Sequence, residues 1–167
     1  MKVAILHLSD LHIDSSNYQW LINKTNHIVS AIWNDFSECN KIIIAVSGDV
    51  VYSGKEEQYG YAKLFFKALL RSFAERNLRE TELENKIICV PGNHDCDFSE
   101  SQTIRETIKQ SILNKDLLEE KELADLCLSI QNNFWNFYGD LIGVDMTPQI
   151  SISKTIQLKL DYSIRFD

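Results

Sequence analysis

The chain has 167 residues, of which 44% are hydrophobic and 25% charged, the balance of one soluble globular domain. That length buries a core without disulfides or structural metals, so any metal it binds is expected to serve chemistry rather than folding. With 24 acidic against 17 basic residues the net charge is -7, which excludes a basic nucleic-acid footprint over the whole surface, although bound divalent ions can supply positive charge locally.

The segment Val3 to Leu8 is a compact apolar run and reads as a buried strand. It is too short, and too lacking in a small-residue cleavage site, to be a secretory leader, and no run reaches the ~18 apolar residues of a membrane span. Tyr18 to Phe36 has helical period, with Ile22, Val29, Ile32, Trp33 and Phe36 on one face. Lys41 to Ser47 is β-branched and reads as a second buried strand. Ser53 and Glu56 have capping-box spacing, and Tyr59, Ala62, Phe66, Leu69, Leu70 and Phe73 follow at helical spacing. Lys86 to Val90 is a third strand, closed by Pro91-Gly92. Helices are expected over Thr103 to Lys115 and within Leu117 to Tyr138, with breaks at Gly139, Gly143 and Pro148. Ile150 to Phe166 alternates apolar and polar residues, as a late strand or hairpin does. The order β-α-β-α-β argues for an α/β fold with a parallel sheet, whose ligands bind at the carboxyl ends of the strands.

Polar motifs sit at each of those ends. Asp10-Leu11-His12 follows the first strand and can turn a carboxylate and an imidazole towards one ion. Gly48-Asp49 follows the second, where the glycine permits close backbone approach and the carboxylate can bridge two ions. Pro91-Gly92-Asn93-His94-Asp95 follows the third. Asn93 offers a carbonyl ligand, His94 a proton or positive charge near a leaving group, and Asp95 a carboxylate to orient His94. Each motif alone is also what a solvated turn or a capped loop contains. Three consecutive strands ending this way point to a metal site.

These blocks resemble the first three signature blocks of the calcineurin-like metallophosphoesterases, over roughly Val3 to Asp97. The resemblance implies the N-terminal half of an αββα sandwich. It implies a first metal on Asp10 and His12, a second on Asn93, Asp49 bridging both, and His94 at the leaving group. The cofactors would be two divalent ions, manganese first, with iron or zinc as alternatives. The reaction would be two-metal hydrolysis of a phosphoester, with a diester favoured because Leu6-His7-Leu8-Ser9-Asp10-Leu11-His12 is similar to bacterial phosphodiesterase and nuclease branches. A cyclic nucleotide or a nucleic acid is then the expected substrate, with no membrane partner.

The family pattern continues with further histidines, yet the chain has only His7, His12, His27 and His94. We expect a single domain over 1–167, truncated on its C-terminal side, inactive alone and completed by the remaining part of the same protein. Rival readings are a non-catalytic regulatory module and the nuclease effector of a bacterial defence protein. Other expectations concern single residues. His7 should be a core histidine, and His27 surface or helix packing. Trp20, Trp33 and Trp135 should pack in the core, and Cys96 should be a bystander. Tyr52 is a candidate substrate contact on a site loop. The segment Ser99 to Tyr138 should govern access, with Leu117 to Glu122 a solvated helix face. Cys39, Cys89, Cys96 and Cys127 form no C-x-x-C pair and read as reduced thiols of a cytosolic protein.

Overall fold

The structure is a computed structural model that describes residues 2–39, 41–76, 87–99, 128–149, 154–159 and 162–166, with single positions 106, 109, 110 and 113. Strands β1 (Val3–Leu8), β2 (Lys41–Val46) and β3 (Ile87–Cys89) form a parallel sheet in the order β1-β2-β3. The pairing runs in register from Val3 opposite Lys41 to Leu8 opposite Val46, and Val46 lies opposite Cys89. All three strands therefore end at one level, which brings the three polar motifs side by side.

Helices α1 (Tyr18–Phe36), α2 (Glu56–Ala74) and α3 (Asn132–Ile142) complete the α/β layer. The core joins Ala4, Leu6, Ile42, Ile44, Val46, Ile87 and Cys89 of the sheet to Val29 of α1 and to the apolar faces of α2 and α3. Alternation along the strands explains the choice of face. Leu6 and Ile44 point to the helices, whereas Ile5 and Ile43 point to the other side. That second face is apolar but unevenly covered: Ile43 is buried, and Ile5 is 49% exposed. On α2 the expected stripe is buried, with Phe65 added to it. A β4 (Lys154–Lys159) and β5 (Tyr162–Phe166) pair forms an antiparallel hairpin, as the late alternation predicts.

Several local expectations are overturned. The box between Ser53 and Glu56 does not form. Instead α2 starts after Lys55, which makes no side-chain cap, and Gln58 Oε1 accepts the Ser53 amide at 2.9 Å and its hydroxyl at 3.1 Å. Gly139 does not break the pattern but lies inside α3, where a Cβ would sit 2.5 Å from the Val144 carbonyl oxygen. The returning chain needs that gap, and the helix ends at Gly143 in the left-handed region. Trp20 is not a core residue: it is 61% exposed, with the Lys24 ammonium 5.5 Å from its ring. Trp135 is fully buried, and Trp33 packs against the core edge beneath the Arg76 guanidinium. His7 is exposed rather than in the core, because it falls on the outer face of β1, where Nε2 meets Ser47 Oγ at 2.7 Å. His27 is exposed as expected. Cys39, Cys89 and Cys96 are free thiols. Most of the expected helix over 103–115, most of the expected helical segment 117–131 and Cys127 lie outside the described residues.

Candidate metal centre

The loops that follow β1 and β2 run on side by side after the regular ladder ends. Asp10 N–H donates to the Gly48 carbonyl at 3.3 Å, His12 N–H to Asp49 at 3.0 Å and Ile13 N–H to Val50 at 2.9 Å. This lacing holds Asp10 (φ 54°), His12 (φ 44°) and Asp49 (φ 53°) in the left-handed region. Such a conformation costs roughly 1–2 kcal/mol for a residue bearing a Cβ, and less for Asp. Among the described residues, these three are the only non-glycine positions with positive φ.

The β3 loop closes against them through glycine. A Cβ on Gly92 would lie 2.1 Å from Asp49 Oδ1, and one on Gly48, itself at φ 103°, would lie 2.9 Å from Gly92 Cα. Only backbone fits between the two loops. The approach lets Asp49 Oδ1 accept the His94 amide at 2.9 Å.

Donor atoms of His12, Asp49 and His94 all lie within 4.8 Å of one another. The His12 and His94 rings meet edge to face with centroids 4.5 Å apart. Asp10 stands beside this group, its Oδ1 3.8 Å from His12 Nε2 and its Oδ2 accepting from Ser9 Oγ. Asn93 is exposed at the rim, lining a cavity shared with His94. The sequence reading placed His94 at a leaving group and not in the donor cluster, whereas the geometry brings one of its ring nitrogens into that cluster. His94 Nδ1 is 2.7 Å from the Tyr52 carbonyl oxygen. Only a protonated Nδ1 can make that bond, so a neutral His94 presents a bare Nε2.

Asp95 does not orient His94; the Tyr52 carbonyl holds that nitrogen instead. The Asp95 side chain turns inward and is fully buried. Its Oδ2 accepts the Val50 amide at 3.1 Å and the Gly92 amide at 2.9 Å, and its Oδ1 accepts the Val51 amide at 3.1 Å and the Tyr59 hydroxyl at 3.2 Å. Burial pushes this carboxyl above its ordinary value, and the four hydrogen bonds oppose the rise. Tyr59, held far above the usual tyrosine range by burial and then by the Asp95 charge, stays a donor. Asp95 is thus a clamp joining the β2 loop, the β3 loop and α2.

The donors suit a divalent ion. Two imidazoles and one carboxylate in a cluster, with a second carboxylate adjacent, are the ligand types of manganese, iron and zinc sites. His12 Nδ1 is buried with no hydrogen-bond partner, the only such side-chain atom among the described residues. An orphaned group of this kind costs about 1–3 kcal/mol, which coordination relieves.

A family model described as calcineurin-like phosphoesterase matches residues 3–164. The chain belongs to the calcineurin-like phosphoesterases. This is a family of metal-dependent phosphoester hydrolases that use divalent ions, and the parallel sheet with its strand-end donors is consistent with its fold. A Bacillus subtilis (strain 168) protein described as an uncharacterized metallophosphoesterase-like protein, YydB, is 24% identical over 147 residues. That alignment covers 86% of this chain but 29% of the relative, so the chain spans less than a third of the length of that phosphoesterase-like protein. No solved structure matches. No described helix is long and apolar enough to cross a membrane.

Two contributors escaped the sequence reading. Tyr59 looked like one more apolar residue of α2. The signal was its hydroxyl, which a buried tyrosine must satisfy. The main-chain oxygen of Tyr52 had no signal at all, because any residue supplies a carbonyl.

Proposed function

We propose that this chain carries the donor-rich part of a two-metal centre that hydrolyses phosphodiesters. The observation behind the reading is the left-handed backbone at Asp10, His12 and Asp49, since strain concentrated on potential ligands and nowhere else described is the mark of a functional constellation. In this proposal Asp10 and His12 hold a first ion, Asp49 both, and Asn93 the second, with manganese the preferred metal. Bound divalent ions supply positive charge to the phosphoryl oxygens and acidify a coordinated water. His94, with Nδ1–H fixed on the Tyr52 carbonyl, manages the proton at the leaving oxygen through Nε2, and must be imidazolium in order to donate. No histidine follows His94 in the sequence, and we assign the remaining ligands to residues outside these 167.

Calorimetric titration with manganese tests the centre. Wild type should give a saturable heat that Asp49→Ala abolishes, and equal heats would overturn the assignment. Hydrolysis of bis-p-nitrophenyl phosphate by the 167-residue chain should be marginal. Turnover equal to that of an intact relative would show that no outside ligand is needed.

A further inference from the structure

We propose that Gln58 is a positioning residue for His94, acting through the peptide unit that joins Tyr52 to Ser53. That unit turns its carbonyl to His94 Nδ1 at 2.7 Å and its N–H to Gln58 Oε1 at 2.9 Å. A peptide unit is planar, and the described residues contain no cis bond, so its carbonyl and its N–H point in opposite directions. Holding the N–H therefore aims the carbonyl. The use of His94 in hydrolysis rests on the reading above, whereas the aiming of its ring does not.

The loop is fixed on either side of this unit. Before it, the Tyr52 N–H donates to the Ile13 carbonyl at 3.3 Å. Beyond it, the Gly54 carbonyl accepts from Asn133 Nδ2 at 3.0 Å. Rotation about the bonds that flank the Tyr52–Ser53 unit can turn it over between those two points. The bond from the Ser53 N–H to Gln58 opposes that turn, and the Ser53 hydroxyl donates to the same oxygen at 3.1 Å. Gln58 is the third residue of α2 and half-buried. A glutamine in that place ordinarily reaches back to the residue that caps the helix. Here that residue is Lys55, yet Gln58 passes over it to Ser53 and so closes the loop that carries the carbonyl.

The direction of the carbonyl matters because a neutral imidazole has one proton for two nitrogens. A carbonyl can only accept, so it keeps the proton on Nδ1 and leaves Nε2 bare. With the unit turned over, the Ser53 N–H would face the ring and favour the proton on Nε2. The same turn would take the amide donor away from Gln58 Oε1. The glutamine oxygen, the peptide and the imidazole therefore form a relay in which Gln58 selects the tautomer of a ring it does not touch.

Long-range proton–nitrogen NMR correlation of the isotope-labelled chain reads the tautomer, without metal and on the alkaline plateau where imidazoles are neutral. The chain has four histidines, and the signals lost in His94→Gln assign the ring. Wild type should carry the proton on Nδ1 of His94. Gln58→Met keeps the length of the side chain and removes the acceptor, so the ratio of Nδ1–H to Nε2–H should fall roughly 2- to 13-fold, the span of one net hydrogen bond. Gln58→Ala should give the same fall, independently of how methionine packs. Gln58→Glu retains an acceptor and should keep the wild-type ratio, and Ser53→Ala retains the peptide N–H and should keep it too. A wild-type ratio in Gln58→Met or Gln58→Ala overturns the proposal even where the variant melts earlier, because Gln58 then serves only the helix start. A fall in Gln58→Glu or Ser53→Ala equal to that in Gln58→Met overturns it as well, as does a wild-type ring protonated on Nε2. An unmoved tautomer beside intact manganese binding defeats this inference alone. A tautomer that shifts as expected in a chain that binds no manganese defeats the hydrolase reading and leaves the positioning role standing.

Discussion

Replacing Asp95 separates a clamp from a catalytic partner. In Asp95→Asn the favourable orientation puts the amide nitrogen at the Oδ1 position, where the Tyr59 hydroxyl turns to accept from it. The amide oxygen at Oδ2 keeps the Val50 and Gly92 amides. One donor, the Val51 amide, then loses its partner in a buried place. An orphan of this kind costs about 1–3 kcal/mol. Asp95→Ala strands Val50, Val51 and Gly92 together and leaves a gap, so its cost should be at least about 3 kcal/mol. For a chain of this length 1 kcal/mol moves the melting temperature by roughly 2–4 °C, so the asparagine variant should melt about 2–12 °C below wild type, and the alanine variant lower still. Thermal and urea unfolding in metal-free buffer measure both. If alanine falls within ~0.5 kcal/mol of wild type, the side chain is no clamp. An asparagine cost equal to the alanine cost would refute the orientation argument.

Other consequences are equally direct. Gly92→Ala should weaken manganese binding by about tenfold or more, because its Cβ would lie 2.1 Å from Asp49 Oδ1 and displace the carboxylate; unchanged binding by calorimetry would mean that the loops part freely. Asp10→Gly should leave the melting temperature unchanged, or raise stability by up to ~1 kcal/mol, while impairing metal binding, since glycine relieves the left-handed strain and removes a donor. A clear loss of stability would show that the Asp10 side chain supports the fold. Tyr138 donates to the Ile87 carbonyl at 3.1 Å, and burial pushes its hydroxyl up to about 12. Its folded value lies above its unfolded value near 10, so its contribution is complete below pH 10 and is lost as pH rises towards 12. Tyr138→Phe should cost ~0.5–1.5 kcal/mol at pH 7 and make urea unfolding less pH-dependent between pH 9 and 11; parallel pH curves for the two proteins would refute the assignment.

What the sequence disclosed was local. The three strands announced themselves as apolar β-branched runs, and each polar motif lay next to the strand that carries it, so the placement of Asp10, His12, Asp49, Asn93 and His94 at one sheet edge followed from the parallel order alone. What stayed hidden depends on partners far apart in the chain. The Asp95 carboxylate meets Val50, and Tyr59 meets Asp95, across separations that only the folded register closes. His7 and Trp20 misled for a related reason: an apolar neighbourhood in sequence does not say which face of a strand or helix a residue takes. Gly139 was misread because a glycine in a helical run can mark a close approach by a later segment as readily as a helix end.

The clamp has a consequence for metal capture. Asp95 shares a loop with Asn93 and His94, yet it grips Val50 and Val51, the residues that follow Asp49. Donors from two strands therefore move as one body, fixed relative to each other before any ion arrives. The work of bringing them together is done during folding. Binding an ion to these donors then asks little further ordering of the two loops that carry them.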